Sequence, residues 1–458
     1  MTTSNFFKKL DRTASLYKDL RLFSGVATVA RGSQSRFSMP YGDAHIETSS
    51  KLHTHQIFPV ASISKSFTAV AVHQLIEQGL VGWDDPVDKH MRPKDFDRSS
   101  PWCPRVFSNE STLAECRVPT IKQLLSMSSG LIDQLTCPQA PWESEGGHCL
   151  LTKAFEQPFG ISDLAWLAKG DVPAAWWFSQ ASYDAPLRFE PGTRFDYSNT
   201  NYWLAAHIVE AVTEMPFKQY IESHILQPAR LDSTIYDTSV GLNQVQMGTL
   251  PGSGYLVDFS EGSEPGMYQH SRTTRAMALS GELSAGIGCS SLQSTTSDII
   301  RWYQLLFMQP EVLNLTRAAV ARLLQPSTHI YGNLYYAQGF HVVPSADPSM
   351  PYGIDLAYHG GAIWGYKTFA GLRMAQSGPE DSTIAAVFSN RKLIFDEVAA
   401  RDSCSIVGLP EVGLKVPCNP NPLMFLDHLA QLGLDIYNTE LAAQAFPSPE
   451  ALAMETGF

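Results

Sequence analysis

No stretch of this chain holds the ~18 consecutive apolar residues that a helix needs to cross a bilayer, so no membrane span is expected. Lysine and arginine form no cluster or stripe, and the net charge is −12, which argues against nucleic acid as a partner. Residues 1–22 contain Lys8, Lys9, Arg12, Lys18 and Arg21, but no apolar segment of signal type and no small-residue cleavage site. A cytoplasmic location is therefore the expectation. Mitochondrial import is the lesser alternative, and Asp11 and Asp19 oppose it. Without export, peptidoglycan and extracellular antibiotics are poor candidate substrates. The cysteines number seven, and an odd number in a chain without an export signal predicts reduced thiols. Four of them fall between residues 103 and 149, yet no Cys-x-x-Cys pair occurs. His148 and the His53-Thr54-His55 pair add little, so neither a metal nor another cofactor is expected. The chain also lacks a Gly-x-Ser-x-Gly elbow, which removes support for an α/β-hydrolase triad.

What is present begins with Ser62-Ile63-Ser64-Lys65. Residues three apart on a helix share a face, so Ser62 and Lys65 are expected to meet. A serine hydroxyl is a weak nucleophile without an adjacent base. A lysine can be that base if burial or another cation depresses its pKa. The run after it, Phe67 to Leu80, is apolar nearly all round and predicts a buried helix, with Gly79 as its stop. The start of that helix supplies free backbone N–H groups for an oxyanion. The spacing alone is weak: Ser15-Leu16-Tyr17-Lys18 and Ser389-Asn390-Arg391-Lys392 match it too, and Tyr331-Gly332-Asn333 matches Tyr-x-Asn. The apolar surroundings single out Ser62.

With Tyr197-Ser198-Asn199 and His359-Gly360-Gly361 downstream, the chain resembles the serine β-lactamase-like superfamily: penicillin-binding proteins, class C β-lactamases and related esterases and acyltransferases. The resemblance extends to Gly79–Val87, Thr120–Leu131 and Glu190–Asn199, and runs from about residue 22 to about residue 395. It implies an α+β fold: an antiparallel sheet flanked by helices, with an inserted, mainly helical lobe. It also implies roles. Ser62 matches the acylated nucleophile, Lys65 the lysine that holds it and helps deprotonate it, and Tyr197 the tyrosine that serves as general base or proton shuttle beside the lysine. Asn199 matches the asparagine between lysine and substrate. His359, Gly360 and Gly361 match the third motif, and the N–H groups of Ala362 and Ser62 the oxyanion pair. Relatives often carry Lys-Thr-Gly or His-Thr-Gly there. His359 is a weaker cation than lysine, and Gly360 removes a hydroxyl. Both departures weaken a grip on a substrate carboxylate and favour esterases and acyltransferases over lactamases. The bland alternative for His359 is a structural histidine bonding a backbone carbonyl.

Length and a 44% hydrophobic content predict two or three domains with a large core. Residues 1–95 and 285–400 are read as the sheet part. Residues 96–284 are the helical lobe carrying Tyr197 and Asn199, and residues 401–458 an insertion and final helix. Phe23 to Tyr41 reads as a hairpin and Leu292 to Gln309 as a helix capped by Ser294 to Asp298. Residues 248–266, rich in Gly, Ser and Pro, read as a loop. An amphipathic helix is expected from Phe7, Leu10, Ala14, Tyr17 and Arg21. Trp142, Trp166, Trp176 and Trp177 read as core, or alternatively as an aromatic wall over Ser62. Trp364 and Tyr366 are placed beside the site. The sequence thus predicts a serine hydrolase or acyltransferase that takes a small-molecule acyl donor or ester. A D-amino-acid peptidase, amidase or β-lactamase is the alternative, and a non-catalytic scaffold the rival outside enzymes.

Overall fold

The computed structural model describes residues 3–96, 98–106, 115–133, 183–236, 254–261, 267–275, 286–363, 365–395, 403–406 and 415–417. Among these residues the largest sheet has eight strands, each antiparallel to its neighbours. In spatial order they are Thr328–Tyr331, Leu334–Tyr336, His341–Pro344, Ile354–Ile363, Tyr366–Arg373, Thr383–Ser389, Gly25–Arg31 and Gln34–Tyr41. The N-terminal hairpin therefore completes a sheet whose other strands come from residues beyond 327. Gly25 pairs with Ser389 and Arg31 with Thr383.

Helices cover both faces, and the period-two alternation of strands explains how. Ala27 and Val29 pack with Leu10, Ala14 and Tyr17 of the helix Thr3–Asp19. Val26 and Ala30, pointing the other way, join the main core with Ile299, Ile300 and Tyr303 of the helix Thr296–Met308. The chain is thus α+β, an antiparallel sheet with flanking helices, and the predicted N-terminal hairpin and helix are both present.

The helix Ser64–Glu77 is buried nearly all round within the main core, as its apolar sequence predicts. Trp302 anchors it by stacking on Phe67 at 3.9 Å between ring centroids and by donating its indole N–H to Ser66 Oγ at 3.1 Å. Gly79 takes a positive φ of 73° just past its end, a conformation glycine adopts at no steric cost.

Three expectations need correction. The stretch 248–266 is not all loop: Tyr255–Glu261 is a strand, paired antiparallel with Met267–Arg275 and parallel with Arg391–Phe395. Its Tyr, Val and Phe residues favour a pleated strand more strongly than the flanking Gly and Pro disfavour it. Leu292–Ser294 is also a strand, and the helix begins at Thr296 with Thr295 as its cap, accepting from the Asp298 N–H. Cys103 and Cys116 are not reduced thiols but a disulfide; with 4.9 Å between their Cα atoms, the two cysteines fit a single bridge. The expected helices Ile161–Ala168 and Leu423–Tyr437, and Trp142, Trp166, Trp176, Trp177 and His148, lie outside the described residues.

Candidate active site

Ser62 sits in a single 3-10 turn, Ala61–Ile63, that leads directly into the buried helix. Ala61, just before it, has φ 48°, a left-handed conformation that an L-residue adopts at a cost of about 1 kcal/mol. Such strain is characteristic of functional turns. The turn is held from below by the strand Phe58–Pro59, which pairs with Leu292–Ser294, and by Val60 N–H donating to Leu292 O at 2.9 Å.

Lys65 is fully buried, and three acceptors surround its ammonium. Nζ donates to Ser62 Oγ at 3.0 Å, to Asn199 Oδ1 at 2.7 Å and to the Cys289 carbonyl at 3.2 Å. It also lies 5.0 Å from the centre of the Tyr197 ring and 5.6 Å from that of Tyr202. Burial is the largest influence on its pKa and lowers it to about 8; the Cys289 and Asp133 side chains, as potential negative charges, pull the other way.

Asn199 reaches Lys65 because two segments are knitted together. Thr120 and Gln123 form a reciprocal capping box that starts the helix Ile121–Leu125. The chain then runs beside residues 187–199: Arg188 N–H donates to Gly130 O at 2.8 Å, Gly192 N–H to Ser128 O at 2.7 Å and Asp196 N–H to Met127 O at 2.9 Å. Thr200 Oγ1 closes the pair by donating to Ile132 O at 2.7 Å. Asn199 then opens the helix Thr200–Thr213, and Tyr197, two residues earlier, stays partly exposed.

The third motif lies on the strand Ile354–Ile363. His341–Pro344 pairs with that strand only up to Tyr358, so residues 359–363 face the Ser62 turn with one flank free of that strand. Gly361 is the point of contact: a Cβ there would run into the Val60 carbonyl oxygen and the Thr368 hydroxyl, and would come within 3.1 Å of Ala61 Cβ. His359 is buried, its ring 6.3 Å from that of Tyr197. Its Nε2 lies 3.1 Å from the Tyr336 hydroxyl and its Nδ1 2.5 Å from the Gly360 carbonyl. Burial, together with His341 and the Lys65 charge, holds its pKa well below 6.5, so the ring is neutral at pH 7.

Five of the predicted residues thus converge: Ser62, Lys65, Tyr197, Asn199 and His359, with Gly361 against the turn. Gly360 and Ala362 flank Gly361 on the same strand, Ala362 in register with Lys367. Tyr366 is buried in the main core. Trp364 lies outside the described residues. The competing matches sit elsewhere. Lys18 pairs with Asp19 on the first helix at 3.0 Å, and Ser389 ends a strand whose successor carries Lys392. Tyr331 ends the strand farthest from the N-terminal hairpin. Asp133 and Cys289 were not foreseen. Cys289 takes part through a backbone carbonyl, which has no sequence signature, and Asp133 lies in no motif.

Comparison with known proteins agrees with this fold. Penicillin-binding protein 4* of Bacillus subtilis is 24% identical over 314 residues, covering 68% of this chain and 58% of its own length. Thus the match spans less than two thirds of that relative. EstCE1, described as a hydrolase with promiscuous acyltransferase activity, superposes with a TM-score of 0.59 at 17% identity, over 85% of this chain and 94% of its own. The D-amino acid amidase of Ochrobactrum anthropi SV3 does so with a TM-score of 0.57 at 16% identity, over 93% and 98%. At those identities the superpositions speak for the fold. The family model described as Beta-lactamase matches residues 10–403, the stretch that contains every residue converging at Ser62, and the chain belongs to that family.

Proposed function

We propose that the chain is a serine hydrolase or acyltransferase that forms an acyl-enzyme on Ser62 with the ester, thioester or amide of a small hydrophobic molecule. The observation that carries this reading is the Lys65 ammonium, fully buried 3.0 Å from Ser62 Oγ and with a pKa lowered to about 8. A lysine so placed is neutral in about one molecule in ten at pH 7, far more than at its ordinary pKa, and can accept the serine proton. Ser62 Oγ then bonds to the acyl carbon, and the Ser62 and Ala362 N–H groups hold the oxyanion. The bond to the leaving group breaks as a proton reaches that group through Tyr197. A water or an acceptor hydroxyl releases the acyl group in the reverse sense.

The third motif supports uncharged acyl donors. His359 is neutral, buried and engaged with Tyr336 and Gly360, so it offers no fixed cation to a substrate carboxylate. The division into a sheet part and an inserted lobe at residues 96–284 belongs to the same proposal, whereas the Cys103–Cys116 disulfide, a bond rare in reducing compartments, speaks against the expected cytoplasmic location. The test is intact-protein mass after brief exposure to a short-chain nitrophenyl ester, a cephalosporin and a D-Ala-D-Ala peptide, with Ser62→Ala in parallel. An adduct on the wild type alone, strongest with the ester, is expected. A dominant cephalosporin or peptide adduct would move the assignment to lactamase or peptidase, and no adduct from any of the three would favour a scaffold.

A further inference from the structure

Asp133 has almost no exposure to solvent, 2%, and the Lys65 ammonium donates to Ser62, Asn199 and the Cys289 carbonyl. The Asp133 carboxylate accepts from the Asn199 side chain, Nδ2 to Oδ2 at 3.0 Å, and from the Asn199 backbone, N to Oδ1 at 3.3 Å. An amide has one donor end and one acceptor end. With Nδ2 committed to Asp133, Oδ1 has to face Lys65, and the 2.7 Å contact between them follows. A buried carboxylate and a buried ammonium are each costly alone, and here one asparagine separates them.

We propose that Asp133 is a positioning residue of the candidate site: it fixes the orientation of the Asn199 amide and is the buried counter-charge of Lys65. The inference rests on the acyl-enzyme reading above. Other groups face the same space. Toward Lys65 these are the Tyr197 and Tyr202 rings, the Cys289 thiol and the neutral His359; toward Asp133 they are Asp196 and Cys289. Burial pushes the Cys289 thiol up, so it stays uncharged at pH 7, which leaves Asp133 as the nearby anion that acts on the ammonium. Removing that anion lowers the Lys65 pKa further. The neutral base is then present at lower pH, and the acid limb of Ser62 acylation moves down.

The experiment follows labelling of the full chain by a fluorophosphonate as a function of pH. The probe forms a phosphorus–oxygen bond to Ser62 Oγ while the phosphorus–fluorine bond breaks, fluoride leaves, and the hydroxyl proton passes to Lys65. Asp133→Asn keeps an acceptor for Asn199 but removes the charge; Asp133→Leu removes both; Asp133→Glu keeps the charge and displaces it. The expected result is an acid limb lower by about one pH unit in Asp133→Asn, with most of the plateau rate kept. In Asp133→Leu the plateau falls by about tenfold to a hundredfold. In Asp133→Glu the limb stays near that of the wild type. A limb that stays put in every folded variant, or loss of folding in all three, makes Asp133 a purely structural residue and overturns the proposal. A wild-type Ser62 that takes no label overturns the acyl-enzyme reading together with it, whereas labelling with an unmoved limb overturns only the role of Asp133.

Discussion

The Lys65 ammonium and the Asn199 side-chain carbonyl meet at 2.7 Å although 134 positions separate them in the chain. The contact joins the buried helix Ser64–Glu77 to the start of the helix Thr200–Thr213, and it is made by a lysine with no exposure at all. Stability should bear the mark of that burial. The folded chain holds Lys65 near a pKa of about 8 against an ordinary 10.5, so between those values the unfolded chain binds more protons than the folded one. By linkage, stability from this group is fully present above 10.5 and is lost as pH falls through about 8.

Lys65→Met removes the titrating group. The unfolding free energy of the variant relative to wild type is therefore expected to fall by about 2 kcal/mol between pH 7 and pH 10, because only the wild type gains over that window. Denaturant titrations of both proteins at a series of pH values measure it. A difference that stays constant with pH would mean that Lys65 keeps its ordinary pKa, and the argument for it as the base would fail with it.

The neutral His359 leads to a separate expectation. Its ring is hydrogen-bonded to the Tyr336 hydroxyl, and the two rings lie edge to face with centroids 6.0 Å apart. His359→Ala removes a buried partner and leaves a cavity, at an expected cost of about 2–4 kcal/mol in chemical unfolding. His359→Asn, which preserves a polar atom, should cost less. Because the folded-state pKa lies well below 6.5, neither variant should remove a limb from the activity profile between pH 6 and pH 8. Loss of such a limb in His359→Asn would show that the wild-type histidine titrates there.

Cys103 and Cys116 close a loop of 13 residues in sequence separation. Cross-linking a loop of that size restricts the unfolded chain and is worth about 3 kcal/mol. Adding reductant, or replacing Cys103 by Ser, is expected to lower the melting temperature, with little change in the rate at which Ser62 takes a label. Thermal scans with and without dithiothreitol decide this. Identical melting temperatures in both conditions would show that the two thiols are free in solution.

Much of this molecule was legible from its residues, for identifiable reasons. The Ser62 helix was readable because a run apolar on every side has few destinations other than a core. Tyr197 and Asn199 were readable because they stand in a longer stretch, Glu190 to Asn199, that resembles a known family. Asp133 was not: a single aspartate after Gly130-Leu131-Ile132 carries no pattern, and only the folded chain brings it to Asn199. The strand Tyr255–Glu261 is hard to read because Gly, Ser and Pro crowd both of its ends and Tyr-Leu-Val-Asp-Phe-Ser-Glu does not alternate strictly between apolar and polar residues. The disulfide was missed because counting cysteines says nothing about which two Cα atoms end up 4.9 Å apart.

The two glycines of the third motif are not equivalent, and a pair of substitutions separates them. A Cβ on Gly360 would find its nearest neighbour, the Thr368 carbonyl oxygen, at 3.7 Å, an ordinary van der Waals contact. At Gly361 the same atom collides with the Val60 carbonyl, which belongs to the backbone entering the Ser62 turn and cannot rotate away. Gly360→Ala should therefore be tolerated, with stability within about 0.5 kcal/mol of wild type. Gly361→Ala has to push the strand off the turn, at about 1–3 kcal/mol, and it moves the Ala362 N–H away from Ser62. Labelling of Ser62 should slow by about a hundredfold in Gly361→Ala, since a displacement of about 1 Å suffices for a loss of that size. Equal labelling rates in the two variants would mean that the strand can retreat without consequence, and the Ala362 N–H would lose its place as an oxyanion donor.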